Sequence, residues 1–187
     1  MATPDWNTIP APSDDGACDH LLHSSLPPNI PLPSTSGEAV DLASLPGLNI
    51  IFFYPRTASP DEIVPEQWNS IPGARGCTPQ ACSFRDAVAA GTLERWGVRR
   101  VVGCSVQGTA YQAELKGRVG LNYELVSDEG LRFAKAGRLP TMMWEGTELI
   151  RRCTLAVEGG KVVRVWYPVF PPDQSASEVV EWLKERA

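Results

Sequence analysis

Ile50-Ile51-Phe52-Phe53-Tyr54 is a short, wholly apolar run, the pattern of a central strand buried on both faces. Val98 to Val106 reads as a second such strand and Leu155 to Val157 as a third. The third continues through Glu158-Gly159-Gly160-Lys161, a strong turn signal, into Val162-Val163-Arg164-Val165-Trp166, which predicts a hairpin. Helical periodicity fills the intervals. Residues 78 to about 95 predict a helix that opens with Thr78 as cap and Pro79 in its first turn. Thr109 to Val119 opens with a Thr109-x-x-Gln112 capping box, and a short helix from Leu131 to Ala136 stops at Gly137. The last helix starts at Ser175-x-x-Glu178 and lays Val179, Trp182 and Leu183 along one face. This order predicts an α/β fold, a central mixed sheet flanked by helices.

The first residues look different. Up to about residue 36 the chain is rich in Pro, Ser and Asp, and Pro27-Pro28 and Pro31-x-Pro33 argue against regular structure. Residues 1–25 are read as a loosely packed arm and 26–187 as one domain. At 187 residues the chain is long enough to bury a real core. Its net charge of −5 gives no electrostatic reason to expect nucleic acid or an anionic membrane surface. No apolar run approaches the length that spans a bilayer, and Met1 to Trp6 lacks the basic start and apolar stretch of a secretory signal. A cytoplasmic location follows as the expectation, with the nucleus as the other possibility. In that reducing setting five cysteines point to free, catalytic or redox-active thiols rather than a disulfide framework.

Two of them carry the chemistry. In Gly76-Cys77-Thr78-Pro79-Gln80-Ala81-Cys82-Ser83-Phe84-Arg85-Asp86 the first cysteine falls at a helix N-terminus, where free amides and the dipole favour an anion. The thiolate is the reactive form, and an ordinary thiol is only about 3% ionised at pH 7. Lowering its pKa to about 6 takes roughly 3.4 kcal/mol, against about 0.3–1 kcal/mol, at best about 2, from a helix end. The shortfall calls for a cation. Arg152, at the entry of the Cys153–Val157 strand, is the candidate, and alternation sends Arg151 to the other face. On a continuous helix residues i and i+5 have Cα atoms about 8.5 Å apart, beyond the roughly 7 Å reach of an unstrained disulfide. A bridge between Cys77 and Cys82 therefore requires the helix start to unwind, which suits a redox cycle.

The Cys77 segment resembles the active-site helix of peroxiredoxins of the Q type, the bacterioferritin-comigratory proteins. Phe53-Tyr54-Pro55-Arg56, Val102-Gly103-Cys104-Ser105, Ser127-Asp128-Glu129, Arg152-x-Thr154-Leu155 and Gly160-Lys161-Val162 follow in the family's order, so the similarity covers roughly residues 26 to 187. The resemblance implies a thioredoxin-like fold. It implies a peroxidatic role for Cys77, a resolving role for Cys82 and polarisation of the peroxide by Arg152. Hydrogen peroxide or small organic hydroperoxides would be reduced through a sulfenic acid and an intramolecular disulfide, recycled by thioredoxin or a similar dithiol. No metal or organic cofactor is required, and both monomer and homodimer remain open.

The chain departs from that family at one point. The usual pattern is a proline, three residues, a threonine, two residues and the cysteine. Here Thr57 to Gly76 forms an insertion, and the position three before Cys77 is Ala74. Thr57 is the first candidate for the missing hydroxyl, with Ser70 and Thr78 as alternatives. The insertion reads either as a lid over the site or as a surface ornament. Cys104 and Cys153, inside apolar strands, are expected in the core. Cys18-x-His20-x-x-His23 lacks a fourth zinc ligand and is not read as a metal site. Trp166 to Pro172 is either a contact surface or a loop packed on the core. Two other functions stay in view: a redox sensor or thiol-disulfide relay, and a peroxiredoxin scaffold turned to biosynthetic redox chemistry.

Overall fold

The computed structural model describes residues 5–186, so residues 1–4 of the expected arm lie outside it. A two-stranded ladder of β1 (Pro31–Pro33) and β2 (Ala39–Asp41) precedes β3 (Leu48–Phe53). Then come α1 (Glu66–Asn69), α2 (Cys77–Ala89), α3 (Thr92–Arg95), β4 (Val98–Ser105), α4 (Thr109–Val119), β5 (Glu124–Ser127) and α5 (Arg132–Ala136). A second ladder, β6 (Thr141–Trp144) with β7 (Thr147–Ile150), leads to β8 (Cys153–Glu158), β9 (Lys161–Trp166) and α6 (Ser175–Arg186). No helix among the described residues is long and apolar enough to cross a membrane.

The central sheet has the order β5-β4-β3-β8-β9, with β3, β4 and β5 parallel and β8 and β9 antiparallel to their neighbours. All six residues of β3 are buried, because strand alternation sends Ile50 and Phe52 to one face and Ile51 and Phe53 to the other. The Ile50/Phe52 face packs against Phe84 of α2, Leu115 of α4 and Val179 and Leu183 of α6. The Ile51/Phe53 face packs against Phe133 of α5, Val40 of β2 and Leu21 and Leu26 of the N-terminal segment. Both helix layers are therefore needed to keep β3 dry.

Several local expectations are corrected. The proline-rich stretch forms β1, since an edge strand of a two-stranded ladder tolerates Pro31 and Pro33 around the buried Leu32. The long helix stops at Ala89, and Gly91 (φ +63°) separates it from α3. Gln112 does not cap α4, because its amide turns inward to donate to Ser105 Oγ (3.1 Å) and the Val126 carbonyl (2.9 Å). The N-terminal segment is held down as well: Ile9, Cys18 and Leu21 are buried, and Asp15 pairs with Arg151 (2.6 Å) and accepts from Tyr167 (2.8 Å). Short runs and paired polar contacts of this kind leave little periodic trace.

Candidate active site

Cys77 is the first residue of α2, and Gly76 (φ +104°), not Thr78, is the cap. The first helix bond runs from the Gln80 N–H to the Gly76 carbonyl (3.0 Å), so the Cys77 and Thr78 amides lie outside the ladder and Pro79 has none to lose. A Cβ at Gly76 would come within 2.6 Å of Pro172 and 2.8 Å of Trp6, so glycine is required both for the backbone angle and for the close approach. Cys77 itself is only 4% exposed.

Arg152, also 4% exposed, meets it. Nη2 lies 3.2 Å from Cys77 Sγ and donates to the Ala74 and Arg75 carbonyls (3.1 Å each), while Nε reaches the Gly73 carbonyl (3.3 Å). Nη1 donates to Gln80 Oε1 at 2.5 Å. The Gln80 amide donates in turn to Thr154 Oγ (3.4 Å) and Ser175 Oγ (3.3 Å), two buried hydroxyls 3.2 Å apart. A buried guanidinium needs its donors satisfied. Here three carbonyls and an amide oxygen do so while leaving the positive charge against the sulfur. Arg151, on the other side of the strand entry, pairs with Asp15 and stacks over Tyr167.

Cys82 sits in the second turn of the same unbroken helix, partly buried, and burial pushes its thiol pKa up. The helix is continuous from Cys77 through Cys82, and the five cysteines are free. Thr57 is engaged by Gln107 and Tyr111: its N–H and hydroxyl both donate to Gln107 Oε1 (2.8 and 3.1 Å), and Gln107 Nε2 and Tyr111 Oη donate to its carbonyl (2.9 and 3.1 Å). No described hydrogen bond joins Thr57 to Cys77. At position −3 the Ala74 carbonyl, not a hydroxyl, faces the thiol (3.6 Å). The insertion is seated by Trp68, which packs edge-on against Trp144 (5.0 Å) in a small cluster with Leu149 and Ala74, while Ile63 is exposed.

Gln80, Ser175 and Pro172 were not singled out from the sequence as site residues. Gln80 had a signal, since it stands one turn after Cys77 and so on its face of the helix. Ser175 read as a cap and Pro172 as part of an aromatic, proline-rich loop. That loop packs inward: Val169 is buried and Phe170 meets Trp6 edge-on at 6.0 Å. Cys104 and Cys153 lie in the core.

A family model described as Redoxin matches residues 22–182. Chloroplastic peroxiredoxin Q of Oryza sativa subsp. japonica is 28% identical over 168 residues, covering 89% of this chain and 69% of the rice protein. Peroxiredoxin Bcp of Escherichia coli K12 is 27% identical over 172 residues, covering 89% of this chain and 98% of that protein. Among solved structures, peroxidoxin BcpB of Mycobacterium tuberculosis superposes with a TM-score of 0.70 at 23% identity, over 89% of this chain and 97% of the other. A cysteine-to-serine mutant of Xanthomonas campestris peroxiredoxin Q gives 0.68 at 22% identity, over 89% and 99%. The fold shared with them is the thioredoxin-like fold.

Proposed function

Because this chain belongs to the redoxin family, with the match spanning residues 22–182, we propose that it is a thiol peroxidase acting on hydrogen peroxide and small organic hydroperoxides. Cys77 is the nucleophile. Its thiolate attacks one peroxide oxygen; the S–O bond forms, the O–O bond breaks, and the leaving oxygen takes a proton and departs as water or alcohol. Arg152 Nη2, beside the sulfur, orients the peroxide and meets the charge that develops on the leaving oxygen. The first turns of α2 then unwind, the Cys82 sulfur attacks the Cys77 sulfenic acid, and a disulfide forms as water leaves. Thioredoxin or a similar dithiol restores both thiols by exchange.

The observation that carries this reading is the 3.2 Å approach of a caged guanidinium to a sulfur at the start of a helix. Stopped-flow mixing of the reduced protein with hydrogen peroxide tests it. The expected result is a second-order reaction orders of magnitude faster than a free thiol, absent in Cys77→Ser. A rate no faster than a free thiol ends the peroxidase reading. A second reading, a redox relay in which α2 unwinding signals to a partner, gains support from the near-complete burial of Cys77 and the Ala74 carbonyl in place of a hydroxyl. Slow oxidation by peroxide with fast exchange against a protein disulfide would favour it.

A further inference from the structure

Cys77 and Arg152 are each only 4% exposed, so what covers them decides what reaches them. The N-terminal segment is part of that cover. Trp6 stands at Gly76, where a Cβ would come within 2.8 Å of its ring, and it meets Phe170 edge-on at 6.0 Å. Asp15 fixes the other end through Arg151 (2.6 Å) and Tyr167 (2.8 Å). Between these anchors Pro12 turns inward, while Pro10, Ala11, Ser13 and Asp14 are exposed. Its ring lies over Gly73: a Cβ built there would sit 3.5 Å from both Cβ and Cγ of Pro12.

A small cavity lies beside Pro12. Its walls include Pro12, Pro72, Gly73, Met142, Val169 and Arg152, and it measures about 20 Å³. Arg152 and Gly73 connect it to the sulfur. The guanidinium that forms this wall has Nη2 3.2 Å from Cys77 Sγ, and its Nε donates to the Gly73 carbonyl (3.3 Å). About 10–15 Å³ of such space holds one water. The cavity therefore takes a molecule of one or two oxygen atoms and has no room for a hydrocarbon group.

We propose that Pro12 is a specificity-determining residue for the reaction at Cys77: it narrows the approach to Arg152, so that hydrogen peroxide is admitted and bulky organic hydroperoxides are refused. The inference rests on the peroxidase reading for its substrate and deepens it by ranking hydroperoxides by size. Proline suits the position, because its ring fixes the backbone angle and it has no N–H to satisfy. The selection is steric, a barrier against the wrong substrate and no added attraction for the right one. It comes from the segment as it lies, with both anchors in place.

The test compares oxidation of Cys77 by hydrogen peroxide and by cumene hydroperoxide, in stopped flow, for the parent, Pro12→Gly and Asp15→Ala. The parent should prefer hydrogen peroxide by about 100-fold or more, the upper range for a pocket that discriminates by shape. Removing the ring, or releasing its anchor, should cut that preference by about tenfold. Similar rates for the two peroxides in the parent overturn the proposal, as does a ratio that neither variant moves. Labelling of Cys77 by methyl and by benzyl methanethiosulfonate, read by peptide mass, asks the same question without peroxide chemistry. The methyl reagent should be preferred in the parent, and less so in both variants; equal labelling in the parent overturns the proposal. If hydrogen peroxide reacts no faster than with a free thiol, the peroxidase reading falls, and the labelling ratio still decides the role of Pro12.

Discussion

Gln80 Oε1 accepts a 2.5 Å hydrogen bond from Arg152 Nη1, joining the first turn of α2 to the residue that precedes β8. The bond sets the rotation of the guanidinium, so that Nη2 faces Cys77. Gln80 is itself oriented by the Thr154 and Ser175 hydroxyls, one from β8 and one from the start of α6. Three elements distant in sequence thus fix one charge beside one sulfur.

Arg152→Ala should slow oxidation of Cys77 by peroxide by about 10²–10³-fold, the usual cost of removing a donor aimed at developing charge. Arg151→Ala, which removes only the contacts to Asp15 and Tyr167, should change that rate little. Arg152→Lys should recover only part of it, because an ammonium cannot reach the sulfur, Gln80 and three carbonyls at once. Stopped-flow tryptophan fluorescence reads all three, and equal effects of the two alanine variants would remove Arg152 from the site.

Gln80→Leu should leave a donor of Arg152 without its acceptor inside the protein, at a cost of about 1–3 kcal/mol in stability. It should also lower the rate at Cys77. Gln80→Glu should restore the rate, since a carboxylate accepts from the guanidinium and the two hydroxyls can turn to donate to it. Urea unfolding alongside the kinetics separates loss of packing from loss of orientation.

Cys82→Ser should leave the first oxidation intact and block recycling. The expected product after peroxide is a Cys77 sulfenic acid that a dimedone-type probe captures. Normal turnover with thioredoxin in this variant would exclude Cys82 as the resolving thiol.

Gly76→Ala should destabilise the protein by more than about 1 kcal/mol, because the residue has φ +104° and the new methyl would meet Pro172 and Trp6. Denaturant unfolding measures the loss. Reaction of Cys77 with iodoacetamide should rise at the same time, as Trp6 and Pro172 are pushed off the loop.

Acid should loosen the N-terminal segment. The Arg151 guanidinium, with help from Tyr167, lowers the Asp15 carboxyl from 3.8 to about 2. A carboxylate lowered by folding adds stability that is fully present above its unfolded pKa, near 4, and is lost as pH falls through about 2. The Tm difference between the parent and Asp15→Asn should therefore be constant above pH 5 and vanish towards pH 2. A difference that persists at pH 2 would mean that the ion pair does not anchor the segment.

The elements legible in the sequence were those whose neighbours in the chain carry the signal. β3 announced itself as an unbroken apolar run. Cys77 and Cys82 marked the candidate site through a five-residue spacing after a glycine. β1, β6 and β7 went unread because a three- or four-residue strand has too few positions to establish a period. The capping box at Thr109 failed because it was recognised locally, while burial drew Gln112 to Ser105; the last helix does start at Ser175, whose hydroxyl also accepts from Gln80.

The sequence by itself determined that a cysteine stands at a helix start, that Arg152 is the candidate cation for it, and that a mixed sheet supports both. Helix geometry, strand alternation and charge are local properties, written in runs of ten or twenty residues. Only the tertiary structure decided what surrounds the sulfur. The cage of carbonyls at Gly73, Ala74 and Arg75, the engagement of Thr57 by Gln107, and the cover of Trp6 and Pro172 all join residues far apart in the chain. Such contacts depend on packing in three dimensions, and no spacing along the chain encodes them.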